Sequence, residues 1–467
     1  MQRPYEETGL TARLARFVVD TTYDDIPAEV VEYAKVMLTD ALGVAFGASV
    51  LEDTRRFVTV AEAMGGPEQA TILTTGTRVS APAAAWANGY LAQALDADDT
   101  YYSNGHPLAS IAGALMAAGE EVGASGKELI TALVVGYDVS IRCRRSFYQA
   151  PNGYSSSFGA FVMGAAAAVA KLYRLNVEQT AITFGTASFT SPGQGIRWGA
   201  MSLGERHAMK YWPNLSQAFA AVTSGQLARA GVTGDRTVFE GTPSFAMLLG
   251  YGGIDEQLMF EDLGTRWFIN ETSIKPWAVC KYPMITMTQV RELMQEEGLT
   301  AEDIDAVHVQ TWDFLAGPYT TEFTELTDEY DAQISFRHAV AATVLGWEMG
   351  PDWQARAVGN SQLNDLAQKV TVVPNPTYRE DSTFTPEGNR AMATVITVGA
   401  GGKEYVRRAS SALGDGFDER YRYDFAMVRE KFLDYAKHSL TGEQMERILA
   451  NLEHLETLED VRFQLTA

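Results

Sequence analysis

Cysteine, histidine, basic charge and long apolar runs are all in short supply. The two cysteines, Cys143 and Cys280, lie far apart with no metal-ligand spacing. That pattern excludes a disulfide scaffold or a structural zinc site and reads as two buried thiols. The six histidines, His106, His207, His308, His338, His438 and His454, form no His-x-His or HExxH pattern. Gly193, Gly195 and Gly199 in "SPGQGIRWGA" have the wrong spacing for a dinucleotide loop and read as a turn. There is no GxSxG elbow and no P-loop. The longest small-apolar run, "FGAFVMGAAAAVA", stops at Lys171, short of the roughly 20 residues that a membrane span requires. No opening segment combines a basic start, an apolar middle and a small-residue cleavage site, so a cytoplasmic location is expected. With 37 Lys and Arg against 59 Asp and Glu, the net charge is −22. Such a surface repels nucleic acid. It admits an anionic substrate only where cations are gathered locally.

What is present describes a globular protein of 467 residues with 46% hydrophobic content, long enough for two domains. Over residues 1–270 the chain reads as helix after helix. Pro27 stands at a helix start, and Ser125 with Glu128 and Asn176 with Gln179 have capping-box spacing. Ala- and Gly-rich stretches such as "IAGALMAAGEE" let helices approach closely. From about residue 271, "IDAVHVQTW", "QKVTVVPN" and "RAMATVITVGAGGKEYVRRAS" are short β-branched runs broken by Gly, Pro and Asn, the signature of strands and hairpins. Helical patterns "TMTQVRELMQEEG" and "SFRHAVAATVLGWEM" lie among them, and helix returns near residue 410, with Thr441 and Gln444 capping the last one. The expected fold class is mainly α with an inserted α+β domain: residues 1–270 and 410–467 helical, residues 271–409 α+β.

One segment concentrates proton-handling groups. "LDADDTYYSNGHP" places Asp96, Asp98, Asp99, Thr100 and His106 within eleven residues, between two apolar helical stretches. Asp96 and Thr100 share a face if the first helix continues. His106 precedes Pro107, the first position of the next helix, where the helix N-terminus keeps an imidazole neutral and fit to act as a base. The plainer reading is a helix-capping turn with solvated aspartates, and the three aspartates could instead hold a cation. Arg142, Arg144 and Arg145 end one helix. Arg197, Arg206, His207 and Lys210 cluster further on, and Lys275 and Lys281 flank "IKPWAVCKYPM". Most of these read as surface charges; one or two would form a carboxylate clamp.

Taken in order, "VVEYAKVMLTDALGVAFGAS", "NGYLAQALDADDTYYSNGHPLASIAGALMAAGE", "GKELITALVVGYDVSIRC", "GAAAAVAKLYRLN", "MKYWPNLSQAFAA" and "DAQISFRHAVAATVL" resemble the MmgE/PrpD family. That family includes 2-methylcitrate dehydratase, cis-aconitate decarboxylase and iminodisuccinate epimerase. The resemblance implies a helical core domain with an α+β lid, a homodimer, and an active site between the two domains. It places Asp96, Thr100 and His106 on active-site positions and matches Lys210 to the lysine of a Lys-x-x-His-x-Gly stretch, with Pro213 and Leu215 replacing its His and Gly. Tyr319 is the candidate lid tyrosine. Where the family reads Gly-Phe-His-x-Thr this chain has "GYSSSFG", so Tyr154 or Ser155 stands near the missing histidine. Where the family reads Cys-Arg-x-x-His it has "CKYPMI", keeping Lys281 and losing the histidine to Met284 or Ile285.

The chemistry implied is a lyase reaction needing neither metal nor organic cofactor, on a small (poly)carboxylic acid. His106, oriented by Asp96, exchanges a proton next to a carboxylate, and Thr100 hydrogen-bonds the substrate or the dyad. Lys210 and Lys281, with Arg197 and Ser155, hold carboxylates, and Tyr154 or Tyr319 supplies a proton. Dehydration or hydration is the first expectation, with epimerisation, isomerisation or decarboxylation through the same carbanion as the alternative. A catalytically inactive binding protein is the alternative of another class.

Overall fold

The computed structural model describes residues 5, 7–101, 105–149, 158–190, 207–378 and 392–466. Helices α1 (Gly9–Asp20), α2 (Ala28–Gly47), α3 (Glu52–Met64), α4 (Ala81–Leu91), α5 (Pro107–Val122), α6 (Gly126–Ser146), α7 (Val162–Leu172), α8 (Val177–Thr190) and α9 (Trp212–Arg229) build the core. Their starts follow the local sequence. Ser125 and Glu128 close a capping box on α6, and Asn176 and Gln179 bond each other's backbone N–H ahead of α8. Each cap satisfies donors that a helix start leaves orphaned. The small residues of α4 and α5 do what their composition predicts. A Cβ added to Gly113 of α5 would lie 2.7 Å from the Cα of Gly89 of α4, so only glycine lets the two backbones cross this closely.

The strands lie where β-branched alternation places them. One four-stranded mixed sheet runs in the order Lys403–Ala409, Thr394–Ala400, Ile304–Thr311, Val370–Pro374. The first three strands are antiparallel, and Val370–Pro374 is parallel to Ile304–Thr311. Gly401 and Gly402, with φ of 57° and 78°, turn the hairpin, a geometry that glycine supplies without strain. Thr394–Ala400 alternates buried and half-buried residues, the mark of a sheet with one covered face. Helices Met284–Glu297 and Phe336–Val344 pack against it. The architecture is therefore a mostly helical core with a small mixed-sheet unit in the C-terminal region.

Two connections join these parts. Helix Phe425–Ala436 packs on α2, where the rings of Phe432 and Phe46 meet edge-on with centroids 6.1 Å apart. A two-residue antiparallel ladder pairs Asp99 with Ile274 and Thr100 with Ser273. That ladder brings the acidic segment against Lys275. Among the described residues no single helix is long and apolar enough to cross a membrane.

Candidate active site

Helix α4 ends at Leu91 rather than continuing through the acidic segment. Asp96 has a φ of 54° and Thr100 lies on the ladder, so the shared helical face expected for these two residues does not exist. Nor are the aspartates solvated: Asp96, Asp98 and Asp99 are each at most 1% exposed. Burying three carboxyl groups requires counter-charges or hydrogen bonds for each, and the structure supplies them one by one.

Asp96 receives two lysines. Lys210 Nζ donates to Oδ2 at 2.5 Å and Lys275 Nζ to Oδ1 at 2.6 Å. Lys275, completely buried, also donates to the Asp96 carbonyl at 2.5 Å and lies 3.2 Å from Asp98 Oδ1. Burial alone would raise the Asp96 carboxyl; Lys210 and Lys275, joined by His106, overcome this and hold it well below the usual carboxylate range. Burial likewise disfavours the Lys275 ammonium, but Asp96 and Asp98 outweigh it and raise its pKa. Asp99 differs. It accepts from the backbone N–H of Leu108 at 3.2 Å and from the Tyr137 hydroxyl at 2.7 Å, so it caps α5 from outside the helix. Burial and the neighbouring Asp98 push its carboxyl well above the usual range. The capping role foreseen for the segment thus falls to Asp99 alone.

His106 precedes α5 as expected, but its acidic partner is Asp98 rather than Asp96. Its Nδ1 lies 3.1 Å from Asp98 Oδ2 and 2.7 Å from the Asp99 carbonyl oxygen. A carbonyl only accepts, so Nδ1 carries a proton and Nε2 is the ring nitrogen left to act as a base. The ring stacks on Phe158 at 6.1 Å, and its side chain is 16% exposed. Preceding it, Gly105 has a φ of 121°, and a Cβ there would meet the Phe161 ring at 2.5 Å.

Of the cations expected on the surface, Arg142, Lys210, Lys275 and Lys281 are buried, Arg144 and Arg145 are half-buried, His207 is exposed, and Arg206 lies outside the described residues. Lys210 also donates to the Tyr211 hydroxyl at 3.3 Å, and that hydroxyl donates to Gln333 Oε1. Lys281 is bound to Asp415, which also accepts from Ser273 Oγ at 2.6 Å. Arg142 is completely buried on Asp138 and on carbonyls including that of Glu261. Lys281 is therefore not a free clamp: Asp415 holds it, one residue pair from Thr100 on the ladder. Thr100 itself is buried. Tyr154, Ser155 and Arg197 lie outside the described residues, as does the side chain of Tyr319, whose backbone belongs to the helix Pro318–Thr321. Lys275 and Asp98 stand in the sequence among the candidate cations and acidic groups with no catalytic role assigned; in the structure Asp98 links Lys275 to His106.

Asp96, Asp98 and His106 offer ligand atoms within 4.8 Å of one another. A cation there would have to displace Lys210 and Lys275, which already engage both oxygens of Asp96. The set is better satisfied as it stands.

Lysine, carboxylate and imidazole groups buried together form a centre suited to proton transfer, carried by a mostly helical chain with a small mixed-sheet unit. The MmgE/PrpD N-terminal domain matches residues 12–256 and the MmgE/PrpD C-terminal domain matches residues 277–456. The chain belongs to the MmgE/PrpD family. Cis-aconitate decarboxylase-like protein oryM of Aspergillus oryzae is 25% identical over 485 residues, spanning 97% of this chain and 96% of that protein. Cis-aconitate decarboxylase of Aspergillus terreus is 23% identical over 301 residues, 59% of this chain and 58% of that protein. The family thus includes lyases.

Proposed function

We propose that the protein is a lyase that forms a carbanion next to a carboxylate of a small di- or tricarboxylic acid and eliminates or adds water at the adjacent bond. The observation that carries this reading is the pairing of Lys210 and Lys275 on Asp96, with Asp98 joining Lys275 to His106. A chain of net charge −22 must place cations where a polycarboxylate is received; Lys210, 8% exposed, is the one of the pair open to it, and Lys275, completely buried on Asp96 and Asp98, fixes the carboxylate that holds Lys210. His106 Nε2 takes the proton from the α-carbon. The electron pair of that C–H bond forms the double bond, and hydroxide departs from the β-carbon with a proton from a donor acid. A positioned base contributes about 10²–10⁴-fold. Each fixed donor facing the developing enediolate contributes about 3–4 kcal/mol.

A second reading has a specific support: the relatives above are named for decarboxylation of cis-aconitate. Loss of CO₂ leaves a carbanion of the same kind, to which a proton is then returned.

Incubation with citrate, methylcitrate and cis-aconitate in heavy water, followed by proton NMR, tests the proposal. A new alkene, with α-proton exchange, is the expected result, and His106→Ala should lower turnover at least 100-fold. Deuterium at carbon with loss of CO₂ favours the second reading. Exchange without bond cleavage replaces the lyase by an isomerase. No reaction with any polycarboxylate, or full turnover by His106→Ala, overturns the mechanism.

A further inference from the structure

Four consecutive carbonyl groups lead through Asp96, and each is held by a buried side chain from a different part of the C-terminal half. Gln333 Nε2 donates to Ala94 O at 3.0 Å and Gln354 Nε2 to Leu95 O at 2.9 Å. Lys275 Nζ donates to Asp96 O at 2.5 Å and Lys431 Nζ to Ala97 O at 2.7 Å. Gln333, Gln354 and Lys275 are completely buried and Lys431 is 8% exposed. A residue with a side chain avoids the positive φ of Asp96 unless its surroundings over-determine it. Four side chains that grip the same turn, on Asp96 and both of its flanks, supply that over-determination.

The donors also reach the groups that the turn positions. Lys431 gives its remaining protons to Asp40 Oδ1 at 2.5 Å and to the carbonyl of Lys275 at 2.7 Å. One ammonium therefore fixes the turn beyond Asp96 and the backbone of the lysine that binds Asp96. Gln354 likewise spans Leu95 O and Ala278 O, the latter at 2.9 Å. Gln333 accepts from the Tyr211 hydroxyl, to which Lys210 donates. Gln333 and Gln354 are uncharged, so their part of the grip fixes the turn without adding charge to the site, whereas Lys431 also balances the buried Asp40 carboxylate.

We infer that Lys431, Gln354 and Gln333 are positioning residues that hold the Asp96 turn in its left-handed conformation and thereby set the separation of Lys210 and Lys275. The activity part of this inference rests on the proposed lyase reading; the conformational part does not.

The test uses the full chain with Lys431→Met and Gln354→Leu, and Phe432→Leu as the control. Phe432 neighbours Lys431 on the same helix and packs on α2, so it reports loss of packing without loss of the grip. Amide hydrogen exchange followed by mass spectrometry reads the peptide covering residues 92–100. Exchange there should quicken at least tenfold in Lys431→Met and in Gln354→Leu, and remain within threefold of wild type in Phe432→Leu. At a temperature where all variants are folded, kcat/KM on the substrate found above should fall at least tenfold in the first two and within threefold in the control. If exchange in this peptide is unchanged in a folded Lys431→Met or Gln354→Leu variant, or quickens equally in the control, the positioning role is overturned. If exchange quickens as stated while no polycarboxylate is turned over by wild type, the grip stands and the lyase reading fails. Should Lys431→Met not fold, Gln354→Leu decides the matter alone.

Discussion

Replacing Asp96 by asparagine keeps the shape of the turn and removes only its charge. In the native site the carboxylate stands 2.5 Å from Lys210 Nζ and 2.6 Å from Lys275 Nζ. At an effective dielectric constant of about 20, each contact has a gross attraction of about 6 kcal/mol, opposed by the burial of all three charges. The two ammonium groups sit on different oxygens of the same carboxyl, so they are at most roughly 7 Å apart; without it, their mutual repulsion is at least about 2 kcal/mol. Asparagine offers one oxygen in return, and Lys275 keeps Asp98 at 3.2 Å. The net loss of stability should therefore be near the lower end of the usual range for a broken buried pair, about 3 kcal/mol. Guanidinium unfolding at pH 7 measures it. Turnover should fall 100-fold or more, because the lysines no longer share a fixed point. Binding of tricarballylate, an unreactive tricarboxylate, should not weaken by calorimetry, since the change removes a negative charge from an anion site. A folded Asp96→Asn variant with native stability and native kcat would refute the view that this carboxylate organises the centre.

Other outcomes follow from individual contacts. Lys281→Met leaves Asp415, among the described residues, with the Ser273 hydroxyl and the Ala412 N–H as its side-chain partners, so stability should fall by about 3 kcal/mol while tricarballylate affinity changes less than threefold; the reverse pattern would make Lys281 a substrate clamp after all. Gly113→Ala drives a methyl group against the backbone of Gly89 and should destabilise by about 2–3 kcal/mol, read as a lower denaturation midpoint. His338, bonded to Ser335 and Asn364, is held neutral by burial with a pKa lowered to about 4. Its stabilising effect is complete above pH 6.5 and is lost as pH falls toward 4, when the unfolded chain takes up a proton that the folded one refuses. The loss amounts to about 3 kcal/mol. The stability of wild type relative to His338→Gln should therefore decline between pH 7 and pH 4.5, and a constant difference would refute the assignment.

What could be read in advance and what could not are separated by sequence distance. The caps at Ser125, Asn176 and Thr441 span three residues each, and the hairpin at Gly401 and Gly402 is equally local, so pattern and composition are enough to locate them. The residue types of the centre were also legible, because Asp96, Asp98, Asp99, Thr100 and His106 stand together in the chain. Their partners were not. Asp96 shares a face with Thr100 only if α4 continues, but the helix ends at Leu91 and the positive φ of Asp96 redirects everything after it. Asp98, two residues on, then takes the histidine. The cations that make burial of the aspartates tolerable come from 114 positions away at Lys210 and 179 at Lys275. In sequence these look like any exposed lysine, and no short-range pattern marks them for burial.

The same distance explains why the acidic segment looked like a solvated turn. Read alone, three aspartates in four positions repel one another and favour water. Only when the Ser273–Ile274 strand pairs with Asp99–Thr100 does Lys275 arrive at their centre, and only when helix Phe425–Ala436 closes on α2 does Lys431 reach Ala97. The centre is thus assembled by contacts from both halves of the chain. An N-terminal segment ending before residue 270 would contain Asp96, Asp98 and Asp99 but lack Lys275, Gln333, Gln354 and Lys431. It would be left with three carboxyl groups against the single ammonium of Lys210, a balance for which solvent exposure is the favourable state.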